Sequence, residues 1–526
     1  MANKTLFRSL FGRLSDEADT RNEAGGIAYQ RTDRQALAQL AATGCLGTTF
    51  YVTAEQQLDA VLQYAQRVEP EYLARVAIYA RQSGHMKDMP ALLAAILSVR
   101  APGLLATVFD RVIDSPKMLR NFVQIVRSGV VGRRSLGTMP KRLVLQWLEA
   151  RTDEQLFVAS VGADPSLSDV VRMVHPKPAS PSREALYGYL VGREHNREVL
   201  PELVRQYEDF KRNADRVVKV PVPDVPFQML TSLPLTKNDW VQIARNASWQ
   251  TTRMNLNTFQ RHGVLDDAKM VELIANRISN PWLIERARVL PYQLMVAHAN
   301  ADRAIPRAVR YSLQVAMELA IKNAPRVMGK VYICPDVSGS MHSPVTGHRA
   351  GATTVVRCLD VAALFAATLL RRNPDAEVLP FNEEVVNIRL NPRDTVMTNA
   401  QRIAAVPAGG TNCSAPLREL NRRGAKGDLV VFVSDNESWI DSPHYGRFGG
   451  SRTRTFREWS GFKSRNPGAR MVCIDLQPAG TTQMREREDV VNIGGFSDQV
   501  FELLADVAAG RHTVDHWVRQ IETVRL

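Results

Sequence analysis

Val331-Tyr332-Ile333-Cys334-Pro335 is a short apolar, β-branched run that feeds directly into Asp336-Val337-Ser338-Gly339-Ser340. The run reads as a buried strand, and the polar residues that follow read as its carboxyl end. Downstream, strand candidates at 376–381, 429–433 and 471–476 alternate with helical patterns at 355–371, 415–422, 455–463 and 497–509. Short apolar runs alternating with helices predict a doubly wound parallel sheet, covered on both faces. Such sheets bind ligands beyond the carboxyl ends of their strands. Residues 330–526 are therefore expected to form one α/β domain with its chemistry at that edge.

Two more polar segments fall at the same edge. A loop carries Pro407-Ala408-Gly409-Gly410-Thr411-Asn412, and the run at 429–433 ends in Ser434-Asp435. Hydroxyl and carboxylate oxygens from Asp336, Ser338, Ser340, Thr411 and Asp435 suit a hard cation, Mg²⁺ before others. Gly339 and the Gly409–Gly410 pair are expected to admit close backbone approach. Taken alone, a D-x-S-x-S reads first as a turn with Ser and Asp capping a helix. In this order, with the Gly-Gly-Thr loop and the strand-end Asp, it resembles the metal-ion-dependent adhesion site of von Willebrand factor A domains. Enzyme signatures are missing: the serines sit in no G-x-S-x-G, and there is no Walker A sequence, H-E-x-x-H or strand-following G-x-G-x-x-G. No catalytic residues are assigned.

Upstream the pattern changes. From residue 32 to about 330, amphipathic helices follow one another at 33–42, 54–67, 69–83, 89–99, 103–113, 118–128, 139–150, 166–173, 183–191, 200–215, 237–245, 251–262, 266–278 and 305–324. Pro, Gly and Asp punctuate their joins. Paired helices without strands predict a solenoid of helical hairpins over 27–329, like armadillo or HEAT repeats. Residues 1–26, polar and charged, are expected to be a loose tail.

The formal charge of +13 is uneven, roughly +12 before residue 331 and about +1 after it. A basic balance concentrated in one region points to a polyanion, nucleic acid before membrane. The five cysteines (Cys45, Cys334, Cys358, Cys413 and Cys473) form no CxxC pair, which suits a reducing compartment. With no signal-like or membrane-spanning run, a cytoplasmic protein is expected.

These features together resemble the Ro 60-kilodalton autoantigen and its bacterial relatives. The resemblance is carried by Val406-Pro-Ala-Gly-Gly-Thr-Asn-Cys-Ser-Ala-Pro416 and Val433-Ser-Asp-Asn-Glu-Ser438. Thr49-Phe-Tyr-Val52, Arg172-Met-Val-His-Pro-Lys-Pro178 and Ala287-Arg-Val-Leu-Pro-Tyr292 match more sparsely. It implies a TROVE module, a ring of HEAT-like repeats closed by the A-type domain. It further implies Y RNA on the outer surface, single-stranded 3′ ends of misfolded RNA in the central cavity, and a 3′-to-5′ exoribonuclease partner in RNA quality control and stress survival. A monomeric ring without DNA or membrane partners is expected.

The RNA contacts are sought where basic residues gather without acids. Residues 115–148 contain Lys117, Arg120, Arg127, Arg133, Arg134, Lys141 and Arg142 and no Asp or Glu. Arg133-Arg134 lie in a Gly- and Ser-rich loop, expected to meet phosphates as a fork. The family resemblance adds Arg172, His175 and Lys177. Two basic residues that vertebrate members place slightly upstream have no counterpart in 157–168, so recognition of the Y RNA stem is expected to differ. The bland reading of the charge run is a solvated surface. A rival function is a metal-dependent protein-interaction module with the helices as scaffold; a metal-dependent nuclease is more distant.

Overall fold

The computed structural model describes residues 17–526 apart from 44, 45, 47, 164, 214–219, 288, 290, 322–325, 346–355, 439–451, 478, 495–497 and 512–514. Cys45 and residues 1–16 of the expected tail lie outside the described residues, as do the ends of the helices expected at 200–215 and 305–324. The chain divides into two compact units: 1–57 with 324–519, and 58–323 with 520–526.

The strands of the first unit are β1 (Thr20–Arg21), β2 (Ile27–Gln30), β3 (Val331–Pro335), β4 (Glu377–Val378), β5 (Leu429–Ser434), β6 (Arg470–Asp475), β7 (Thr481–Thr482) and β8 (Val490–Gly494). Five of them form a parallel sheet in the order β4-β3-β5-β6-β8. Central strands β3 and β5 are buried at every position, as continuous apolar runs covered on both faces must be. Helix Cys358–Arg372 is buried along almost its whole length and packs on β3 and on helix Val396–Ala404. Helices Ala415–Arg422 and Arg454–Arg465 pack together, adding Trp459 and Phe462 to a core shared with Tyr332, Phe381 and Phe432. The Trp459 indole N–H donates to Asp489 Oδ2 at 2.9 Å, so its polar edge is satisfied within that core.

The register sets the site. Pro335 pairs with Val433 and Ser434 with Asp475, so β3, β5 and β6 end level with one another. The strand expected at 376–381 contracts to Glu377–Val378 plus a bridge between Asp336 and Phe381. Strand β8 is unanticipated, since Asn492 interrupts its apolar run and charged residues precede it.

The N-terminal segment departs from expectation. β1 and β2 pair antiparallel with each other, and β2 pairs with β7. Helix Asp33–Thr43 packs on β8. Residues 27–43, expected among the helical repeats, thus complete the α/β unit. The reason is burial: Ala28 and Tyr29 are fully enclosed there, and Arg31 enters as half of a buried ion pair.

The second unit is helical. Helix Pro70–Gln82 packs on Asp88–Arg100 and Pro102–Val112, and Asp88–Arg100 packs in turn on Pro116–Ser128. Contact with both the next helix and the one after it is the pattern of stacked hairpins. Asp88–Arg100 is buried from Met89 to Ser98, as a helix enclosed by neighbours should be. Proline opens several helices, and capping boxes at Thr152/Gln155, Ser166/Asp169 and Thr236/Asp239 satisfy others. The helix expected at 251–262 breaks at Asn255 into Trp249–Met254 and Leu256–Arg261. Helices Asp153–Ala159, Pro281–Ala287 and Pro291–Ala299 were not anticipated from periodicity, being too short to show it.

Candidate metal centre and basic cleft

At the carboxyl edge of the sheet, three sequence-distant segments are joined by hydrogen bonds. Asp336 N–H donates to Val433 O at 2.9 Å, tying the end of β3 to β5. Gly339 N–H donates to Gly409 O at 2.9 Å, which brings the Gly-Gly-Thr loop against the D-x-S-x-S turn. Cys413 N–H donates to Ser438 Oγ at 3.4 Å, which ties that loop to the segment after β5. The five expected ligands Asp336, Ser338, Ser340, Thr411 and Asp435 are all buried here, none more than 4% exposed.

The carboxylates are held differently. Asp336 Oδ1 accepts from Ser338 N at 2.8 Å, and its Oδ2 accepts from the Ser434 hydroxyl at 2.6 Å. Asp435 Oδ1 accepts from Glu437 N at 3.3 Å, whereas its Oδ2 is buried without a hydrogen-bond partner among the described residues. Ser338 and Ser340 place their hydroxyls 3.3 Å apart. Burial, then the neighbouring Asp435 charge, pushes the Asp336 carboxyl up to about 7. Burial also raises Asp435, against the pull of the Ser340 hydroxyl and backbone N–H groups. The Cys413 thiol is pushed well up by burial and then by both aspartates.

The glycines divide. A Cβ on Gly409 or Gly410 would stand 3.0 Å from Asn382 or Glu383, tight enough to displace them. On Gly339 it would make ordinary contact with Gly409 O at 3.6 Å.

In the helical unit, helices Pro116–Ser128, Thr138–Glu149 and Leu167–Val174 enclose an open cleft of about 720 Å³. Arg127, Arg134, Lys141, Arg142, Arg172 and His175 line it, with Ser135 and Thr138 and no acidic residue. The first turn of Thr138–Glu149 faces it, adding the positive end of a helix dipole. His175 caps Leu167–Val174 in the left-handed region at φ 51°, its backbone N–H donating to Val171 O. Arg172 is steadied by donation to Val191 O at 2.7 Å and lies 3.5 Å from Asp169.

Four expected contacts are not lining residues. Arg133 turns inward and donates to Ser98 O at 2.9 Å, so it does not form a fork with Arg134. Arg120 donates to Ala159 O at 3.3 Å and to Val161 O, and burial lowers its pKa. Lys117 lies 3.9 Å from Asp88. Lys177 is exposed but outside the cleft. Carbonyls left over at helix ends recruit the first two, a demand that composition does not display.

Comparison with known proteins is consistent with both units. Residues 330–508 match the family model described as "Ro60 vWA domain". "RNA-binding protein RO60" of Deinococcus radiodurans is 26% identical over 469 residues, covering 82% of this chain and 85% of that protein. A Caenorhabditis elegans protein of the same name is 21% identical over 261 residues, covering 47% of this chain and 38% of that protein. The crystal structure of the Deinococcus radiodurans Ro (RSR) protein superposes with a TM-score of 0.62 at 20% identity, covering 91% of this chain and all of that one.

Proposed function

We propose that this chain is a Ro60-type, non-catalytic RNA-binding protein whose helical cleft grips the RNA backbone, a reading supported by its similarity to Ro60 proteins. The observation that carries this reading is the convergence of Arg127, Arg134, Lys141, Arg142, Arg172 and His175 on one cleft with no carboxylate in its lining. Guanidinium and ammonium groups around a helix N-terminus form a phosphate site by charge and by donor geometry. Ser135 and Thr138 supply neutral donors to phosphate or ribose oxygens. Few aromatic residues accompany the basic ones, so backbone and shape recognition fits better than base stacking.

The finer reading follows the family. The partners are small noncoding RNAs of the Y type and the 3′ ends of misfolded RNAs. The setting is cytoplasmic RNA quality control and stress survival with a 3′-to-5′ exoribonuclease. No helix among the described residues is long and apolar enough to cross a membrane. Ultraviolet crosslinking of RNA copurified from the native cells, followed by peptide mapping and RNA sequencing, tests both levels. Crosslinks within 127–142 and 172–175 are expected; crosslinks confined to other surfaces would displace the cleft.

The sheet edge fits a divalent cation. Its donor set is all hard oxygen, and Asp435 Oδ2 is a buried carboxylate oxygen with no hydrogen-bond partner among the described residues. Asp336 and Asp435 would supply charge, and Ser338, Ser340 and Thr411 hydroxyls. Mg²⁺ bound there would neutralise the two carboxylates and leave a coordination position for an acidic group of a protein partner. The hydrogen bonds to Asp336 and Asp435 hold these side chains in place beforehand. This supports a protein-docking role for the domain beside RNA binding by the helices.

A further inference from the structure

We propose that the N-terminal strap, residues 22–31, is part of the support of this metal centre, and that Asn22 is a positioning residue for the cation. The inference rests on the metal reading above. It starts from contacts that cross more than 400 residues of sequence. Asn22 is buried, its Nδ2 donates to Ser438 O at 3.0 Å, and its Oδ1 accepts from Gly26 N at 2.7 Å. Ala24 N–H donates to Glu437 Oε2 at 3.3 Å. A Cβ on Gly26 would stand 2.7 Å from Ser438 O, so the strap lies directly against the segment that follows Asp435.

Glu437 and Ser438, the two residues the strap grips, are those that orient the expected ligands. The backbone N–H of Glu437 fixes Asp435 Oδ1 and leaves Oδ2 open. The Ser438 hydroxyl accepts from Cys413 N–H, two residues beyond Thr411. The strap therefore braces both arms of the site at once, from Asn22 to Ser438 to the Thr411 loop, and from Ala24 to Glu437 to Asp435. Its far end is fixed by Arg31, which donates to Asp475 at 2.7 Å and to Thr481 O at 3.2 Å. Groups that orient metal ligands without touching the ion set affinity by holding the ligands in place before binding.

The test uses the full-length protein and Mn²⁺ as the probe, titrated by calorimetry, with thermal unfolding followed separately in EDTA. Asn22→Leu keeps the branching of the side chain and removes both hydrogen bonds. Gly26→Ala places a methyl 2.7 Å from Ser438 O and 3.3 Å from Asn22 Oδ1, so it pushes on the same contact from the strap's side. Both are expected to weaken Mn²⁺ binding, about 10- to 100-fold for support of this kind. Asp19→Asn, exposed and just ahead of the strap, is expected to leave Mn²⁺ affinity unchanged. Unaltered Mn²⁺ affinity in folded Asn22→Leu and Gly26→Ala, whatever their melting temperatures, would reduce the strap to a structural brace and overturn the proposal. Failure of the wild-type protein to bind Mn²⁺ would defeat the metal reading and this inference with it.

Discussion

Arg31 and Asp475 stand 444 residues apart in sequence and 2.7 Å apart in space, with side chains 2% and 0% exposed. Arg31 follows β2 and Asp475 ends β6, so the α/β unit joins the N-terminal segment to strands that follow residue 330. Burial pushes the Asp475 carboxyl up to about 7, and Arg31 opposes that shift.

Removing only the cation should be costly. Arg31→Met is expected to lower unfolding free energy by about 3–5 kcal/mol, because an enclosed carboxylate is left uncompensated. Replacing both partners with apolar residues should recover much of that loss. Urea denaturation reads both effects, and a near-neutral Arg31→Met would show that the pair contributes little.

The two aspartates of the metal centre predict a pH dependence. The folded-state pKa of Asp336 is raised to about 7 from an ordinary 3.8, so the folded protein holds a proton that the unfolded chain has lost. In metal-free protein this contribution to stability is complete below about 4 and declines as pH rises to about 7. Cation binding must displace that proton, so Mg²⁺ affinity should strengthen with pH over the same window and level off above it. Calorimetry in buffers of different ionisation enthalpy would reveal the released proton; pH-independent binding would contradict the assignment.

Asp435→Asn separates affinity from folding. It keeps the shape and the acceptor for Glu437 N–H but removes a charge enclosed beside Asp336. Divalent binding should be lost, while stability in EDTA stays level or rises. A marked fall in stability without metal would mean that the carboxylate is structural.

Adjacent arginines should behave in opposite ways. Arg133→Ala removes a donor to the buried Ser98 carbonyl and is expected to cost about 1–3 kcal/mol of stability with little change in RNA affinity. Arg134→Ala should weaken RNA binding and leave stability nearly unchanged. Equal effects on RNA from both would return Arg133 to the binding surface.

This contrast shows what the sequence could reveal. The run at 331–335 and its polar successors were legible because strand periodicity and a doubly wound order force Asp336, Thr411 and Asp435 to one edge. The charge run around Arg134 was equally visible. Which arginines face solvent was not, because helix-end carbonyls claim Arg120 and Arg133 only once the neighbouring helices are in place. Nor was the strap, since nothing local in Asn22 or Arg31 announces a partner some 400 residues away.

The central claim is that the helical cleft binds RNA through its phosphates. Equilibrium binding of a small structured RNA to wild type and to Arg134→Glu/Arg142→Glu, measured across a range of KCl concentrations, tests it most directly. Wild-type affinity should fall steeply with salt, and the double variant should bind more weakly with a slope shallower by about 1–2. Identical affinities and slopes in the two proteins would contradict the account.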